Sequence, residues 1–289
     1  MEPLDYCRNK AAPTGSSLHY ALLFADRDTT PGLLAISALH AEISTIADDC
    51  SEPGVAAVKL NWWAEELERL RQGQPRHPVS QAMASAIADH GLDATVLDEL
   101  VTGARMDLEY GTYPSFRELS VYCHRLGVTP AQIAVQICGH EDPGSLAVAH
   151  DLGMGLQLVR MLRRLPRHLS GGRVYLPEDE LTQAGVDRDR LLAGHTDDAL
   201  TPVLTEHAGR ARNFLDNASS RVADSDRMRL RPLLITAVLY RRLLDSIEAD
   251  GFPLLQRHHH LTPLRKLGGA WRTARHQRRL SRRTDKAAS

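Results

Sequence analysis

The 289-residue chain has no surplus of either charge: 35 Lys and Arg stand against 36 Asp and Glu, a formal net charge of −1 with the histidines neutral. Without a global positive field, nucleic acid is not an expected partner, and any anion must be held by local clustering. Cysteine is scarce. Cys7, Cys50, Cys123 and Cys138 lie far apart with no Cys-x-x-Cys pair, which argues against a thiolate metal site and for reduced thiols packed as small apolar groups in a cytoplasmic protein. No stretch approaches the ~18 uncharged apolar residues of a membrane span. The opening MEPLDYCRNK has neither the basic start nor the apolar run of a secretory signal. The expected location is the cytoplasm, at most peripheral to the inner face of the membrane. Period-2 alternation is missing, which excludes a substantial sheet. Also missing are a Gly-rich nucleotide fingerprint, a P-loop, a nucleophile elbow and any repeat of solenoid length.

What is present is helical punctuation. Hydrophobic residues make up 43% and charged residues 25%, an ordinary globular balance, and a single domain of this length buries about 75% of its unfolded surface. Thr30-Pro31 opens a helix expected to reach Asp49. Ser51 and Pro53 open GVAAVKLNWWAEELERLRQ, closed by Gly73. HPVSQAMASAIADHG and DATVLDELVTGARMDLEYG are each expected to end in glycine in the same way, and Ser115 with Glu118 reads as a capping box before LSVYCHRLG. SLAVAHDLGMGLQLVRMLRRL, a segment near 197–222 and RLRPLLITAVLYRRLLDSIEADG complete one all-α domain. Trp62 and Trp63 cannot share a helix face, so at least one belongs to the core. HHH at 258–260 reads as a loop, since consecutive residues point apart and no carboxylate is spaced with them. From Arg265 to Lys286 there are nine Lys and Arg and no acid before Asp285. Such a tail is either a solvated helix end or an attachment to an anionic membrane surface, worth about 1 kcal/mol per basic residue near the lipid.

Positive charge concentrates in GLQLVRMLRRLPRHLSGGRVYLP, residues 155–177, where Arg160, Arg163, Arg164 and Arg167 recur at helical spacing before His168 and Pro166 interrupts the run. Something anionic should sit here. The order GLQLVRMLRR…GGRVYLPEDELTQAGV resembles the second signature of the squalene/phytoene synthase family. ARMDLEYGTYPSFRELSVYC, VKLNWWAEELERLRQGQPRHPV and LYRRLLDSIEADGF followed by LRKL resemble its other segments, in order, over about residues 18–270. The resemblance implies an isoprenoid (terpenoid) synthase-type helical bundle around a central apolar cavity. On that reading 1–17 is an N-terminal extension, 18–270 the synthase-like domain and 271–289 a basic tail. It also implies two Asp-rich motifs that hold Mg²⁺, and through it the diphosphates of farnesyl- or geranylgeranyl-type substrates.

The metal ligands are where this sequence departs from the family. Aligned on Gln157, Arg163 and GRVYLP, the second carboxylate pair is replaced by Arg164 and His168, and Arg160 stands where the family often has Asn. In LHAEISTIADDCSE, Ser44 takes one expected Asp position, while Asp48, with Asp49 beside it, keeps the other. Asp48 and Asp49 are therefore the weak metal candidates, and Asp48, Asp107 and Tyr175 the catalytic candidates. Gln157, Arg160, Arg163, Arg164, His168 and Arg173 are the diphosphate-binding candidates. A cation beside Arg164 meets like charge at close range, so no cofactor is expected, with Mg²⁺ required only if an active synthase survives. The basic side chains either bind phosphate directly, pair with Asp48, Asp49 and Glu42 to close the former mouth, or lie on a solvated face; closure is the favoured expectation.

Three functions follow. The first is a non-catalytic binding or assembly protein. For this, AEISTIADDCSEPGVAAVKLNWW resembles the family branch that contains a mitochondrial NADH-dehydrogenase assembly factor. The second is an active head-to-head prenyltransferase with a remodelled diphosphate site. The third is a peripheral membrane protein holding a prenyl or other apolar lipid.

Overall fold

In a computed structural model, residues 1–195, 198–255 and 259–288 are described, with side chains described through residue 281. The chain forms α1 (Pro3–Ala11), α2 (Ser17–Leu22), α3 (Thr30–Ser44), α4 (Ile46–Asp49), α5 (Pro53–Arg71) and α6 (Pro78–His90). A 3₁₀ turn (Ala94–Leu97) leads into α7 (Asp98–Glu109), and α8 (Phe116–Cys123) passes through a π-helical turn (His124–Val128) into α9 (Thr129–Cys138). Then come α10 (Ser145–Ser170), α11 (Glu178–Gln183), α12 (Arg188–Leu192), α13 (Leu200–Ser220), α14 (Arg231–Ala249) and α15 (Pro263–Ala288). Among the described residues no strand forms; one isolated parallel bridge joins Tyr113 to Pro177.

Proline stands in the first turn of α1, α3, α5, α6, α9 and α14, where its missing N–H costs nothing. The Ser115 hydroxyl accepts from the Arg117 N–H at 3.1 Å and donates to the Glu118 carboxylate, so Ser115 caps α8 as expected but through the N–H of Arg117. Gly91 closes α6 in the left-handed region at φ 63°. Three expectations are corrected. The helix from Thr30 breaks for one residue at Thr45, where the backbone turns to φ −105° and ψ −1°, and the Thr45 hydroxyl bonds the Asp49 carboxylate across the break at 2.7 Å. Tyr110, in extended conformation, ends α7 rather than Gly111. Pro166 does not end α10, which runs on to Ser170. Pro166 removes one donor, but α10 is buried on most sides by α13, α9, α8 and α14.

That central helix fixes the spacing of everything else. Where the π-helical turn crosses α10, Gly127 and Gly153 meet backbone to backbone; a Cβ on Gly153 would lie 2.4 Å from the Val128 Cα. Trp63 is buried and Trp62 half exposed. Helix α15 runs across position 271 and packs on α14 and α2. His258 lies outside the described residues. His259 has the Asp250 carboxylate 3.8 Å away, a partner that sequence spacing hid because the chain folds back. No helix among the described residues is long and apolar enough to cross a membrane.

Candidate functional site

The Thr45 break turns the short α4 so that Asp48 faces the last turns of α10, where Arg164 and His168 are one turn apart. Arg173 arrives from the following loop, through Gly172 at φ 74°, with its N–H on the His168 carbonyl at 2.9 Å. Its guanidinium donates to Asp48 Oδ1 and to the Ala47 carbonyl at 3.0 Å. The other oxygen, Asp48 Oδ2, faces Arg164 at 3.8 Å, Arg167 at 3.9 Å and His168 Nε2 at 4.0 Å. Arg167 also grips Asp49 and donates to the Asp48 carbonyl at 3.0 Å. One buried carboxylate is thus ringed by three guanidiniums and an imidazole. Burial, then Arg173, Arg164 and Arg167, press His168 down from 6.5 to about 3, so the ring is neutral, and its Nδ1 has no hydrogen-bond partner.

A second acid stands behind the first. Asp107 of α7 accepts from the Tyr175 hydroxyl and from the Tyr122 hydroxyl at 3.2 Å. Burial lifts it from 3.8 to about 7 against the pull of these hydrogen bonds and of Arg173. Asp48, Asp107, Tyr122, Tyr175, Gln157, His168 and Arg164 are among the residues enclosing a space of only about 20 Å³.

The neighbouring cavity, about 270 Å³, shares His40, Ser44, Arg160 and Arg164 with that space. Its floor is apolar (Leu18, Ile36, Ala131, Ala134, Leu152, Leu156 and Leu233), while Lys10, Arg160, Arg163, Arg164 and Tyr240 bring charge and a phenol to it. Arg160 reaches Gln157 Oε1 at 3.5 Å and lies 5.8 Å from the Tyr240 ring centre. Neither Arg160 nor Arg163 has a carboxylate partner among the described residues. Burial alone would raise the Tyr240 phenol, but Arg160 and Arg163 outweigh it and bring it from 10.0 to about 8. His40 is held well below 6.5 by burial and by Arg160 and Arg164, and its Nε2 has no partner.

The structure thus gathers Asp48, Asp49, Arg164, Arg167, His168 and Arg173 into a closed charge cluster, sets Asp107 with Tyr175 behind it, and leaves Arg160 and Arg163 at the cavity. Glu42 does not join the closure. It accepts from the Tyr6 hydroxyl at 2.8 Å and pairs with Lys10 at 3.1 Å, because its side of α3 meets α1. Sequence reasoning missed His40, Tyr122 and Tyr240. His40, Ser44 and Asp48 recur every four residues, a signal visible in advance for the first of these. Tyr240 had none, since only the packing of α14 beside α10 brings it in.

Magnesium requires several hard oxygen ligands in near-octahedral array. Here both Asp48 oxygens face cations, Asp49 is held by Arg167 and Thr45, and Asp107 by two phenols. A unit charge 4 Å from another is worth about 4 kcal/mol at an effective dielectric of 20, so the guanidiniums already supply what a metal would bring. The residues do not fit a magnesium cluster. Among the described residues no three His, Cys, Asp or Glu side chains converge as a metal site.

Comparison with known proteins places these features in context. The family model described as squalene/phytoene synthase matches residues 11–265. Phytoene synthase 1 of Arabidopsis thaliana, a chloroplast protein, is 29% identical over 258 residues, covering 87% of this chain and 61% of its own length. The crystal structure of a dehydrosqualene synthase in complex with ligand superposes with a TM-score of 0.83 at 17% identity, covering 96% of each chain. That of squalene synthase HpnC from Alicyclobacillus acidocaldarius gives 0.74 at 21% identity, covering 86% of this chain and 94% of its own.

Proposed function

The chain belongs to the squalene/phytoene synthase family, and from that premise we propose that it binds an anionic-headed apolar molecule of the prenyl diphosphate class without magnesium and does not condense it. The observation that carries this reading is the ring of Arg164, Arg167, His168 and Arg173 around Asp48, beside a cavity that is still apolar at its floor. Arg160, Arg163 and Arg164 supply forked donors matched to phosphate oxygens, and the floor takes the hydrocarbon. Condensation needs two prenyl chains at once. A cavity of about 270 Å³ is at or below the lower end of the ~300–1,000 Å³ usual for one small ligand.

The test is calorimetric titration with farnesyl and geranylgeranyl diphosphate, in EDTA and then in Mg²⁺ or Mn²⁺, with analysis of the products. Expected are equal affinities with and without metal, loss of binding in Arg160→Ala/Arg163→Ala, and no C30 or C40 hydrocarbon. Steady product that disappears in Asp48→Ala would establish an active prenyltransferase with a remodelled site instead. A second reading, a role in assembling a larger complex, is favoured by one surface feature: Val55, Val58 and Trp62 form an exposed ridge on α5, within the segment that resembles the assembly-factor branch.

A further inference from the structure

Helix α15 is built inside out. An amphipathic helix on a globular protein turns its large apolar residues to the core, and α14 does so with Leu234, Ile235, Leu239, Leu243 and Leu244. In α15 the residues turned inward are small or polar: Gly269, Ala270, Thr273, Ala274 and Gln277. Gly269 sits close on α14: a Cβ there would lie 2.8 Å from Arg242 Nη1 and 2.9 Å from Leu239 Cδ2, both ends of flexible side chains. Of the four large apolar residues of α15, Leu280 is partly buried, while the other three face out, with Leu264 82% exposed, Leu267 42% and Trp271 52%. Their i, i+3, i+7 spacing places them on one stripe.

Around and beyond that stripe stand Arg265, Arg272, Arg275, Arg278 and Arg279, all exposed, and none has a carboxylate partner among the described residues. Arg275 lies 5.3 Å from the Trp271 ring centre. No acid occurs in the helix before Asp285. Lys266, at the base of the stripe, is tied back to the Gly15 carbonyl at 2.7 Å, which holds this end of the helix on the body.

We propose that α15 docks the protein on an anionic phospholipid surface, lying in the interfacial plane with Leu264, Leu267 and Trp271 among the acyl chains and the arginines on the phosphates. A stripe that solvates badly in water, flanked by unpaired positive charge, is complementary to a surface that is apolar inside and negative outside. The inference is independent of what the cavity holds. It is tested by co-sedimentation of the full chain with vesicles of phosphatidylcholine alone and of phosphatidylcholine mixed with phosphatidylglycerol. The comparison is made at about 0.1 M and about 1 M salt, where the screening length falls from ~10 to ~3 Å.

The expected result is binding to the mixed vesicles only, weakened at high salt. Arg272→Glu/Arg275→Glu and Leu264→Ser/Trp271→Ser should each weaken binding by about tenfold or more, with helicity unchanged because all four side chains are exposed. Absence of vesicle binding, equal binding to neutral vesicles, wild-type binding by either double variant, or capture of an RNA duplex in place of vesicles would overturn it.

Discussion

Acidification from pH 7 to pH 5 should destabilise this protein by at least about 1.5 kcal/mol, a figure that follows from three buried titratable groups. His168 and His207 are pressed by burial from 6.5 to about 3 and about 4, and His40 is lowered as well. Each is neutral in the fold and takes a proton on unfolding below its ordinary value. Its contribution is complete above pH 6.5 and is lost as the pH falls toward its folded value. Asp107 runs the other way. It keeps its proton in the fold up to about 7 but loses it above 3.8 when unfolded, so its cost grows between those values and acid relieves it. His168 and His207 less Asp107 leave a net one proton taken up on unfolding, and the lowered His40 and His77 add to it in the same direction. At 1.36 kcal/mol per proton per pH unit, the slope near pH 5 is at least about 1.4 kcal/mol per pH unit. Integrated from pH 7 to 5, this gives the stated minimum loss, set against the about 5–15 kcal/mol typical of a folded domain. Urea unfolding followed by circular dichroism across this range measures it, with His168→Asn expected to lower the slope by about 1.4 kcal/mol per unit. Stability that stays flat or rises toward pH 5 would refute the burial of neutral imidazoles.

Three further outcomes are expected. Gly153→Ala, whose Cβ would meet the Val128 Cα and the Gly127 carbonyl oxygen at 2.4 and 2.5 Å, should cost about 3 kcal/mol or more in thermal or urea unfolding, because backbone cannot step aside as a side chain can. Gly209→Ala in α13, with open space at its Cβ, should stabilise by about 0.5–1 kcal/mol in the same assay. Ala134→Phe, which projects a ring into the cavity, should abolish prenyl diphosphate binding by calorimetry while shifting the melting temperature by only a few degrees, about 1 kcal/mol of stability.

The helices were legible because their signals are local. Prolines in first turns, the Ser115 cap and Gly91 act over three or four residues, and so does the periodicity of α10. The charge cluster was legible in composition and only partly in pairing: Asp48 and Asp49 meet α10 as expected, whereas Glu42 is claimed by Tyr6 and Lys10 of α1. What could not be read depends on tertiary position. The Thr45 break rests on the backbone angles of one residue, the passage of α10 through Pro166 on packing from four other helices, and the place of Tyr240 on the docking of α14.

The wall between the two spaces has a further consequence. Arg164 borders both the closed pocket around Asp48 and the open cavity beside it, and one guanidinium cannot serve two anions at full strength. Asp48 is therefore a tethered internal competitor, present at a fixed local concentration that no washing removes. Whatever enters the cavity gains Arg164 only as far as the carboxylate lets go. The tightness of the grip is thus capped by a side chain that never touches the guest, which favours holding that is reversible over holding that is permanent.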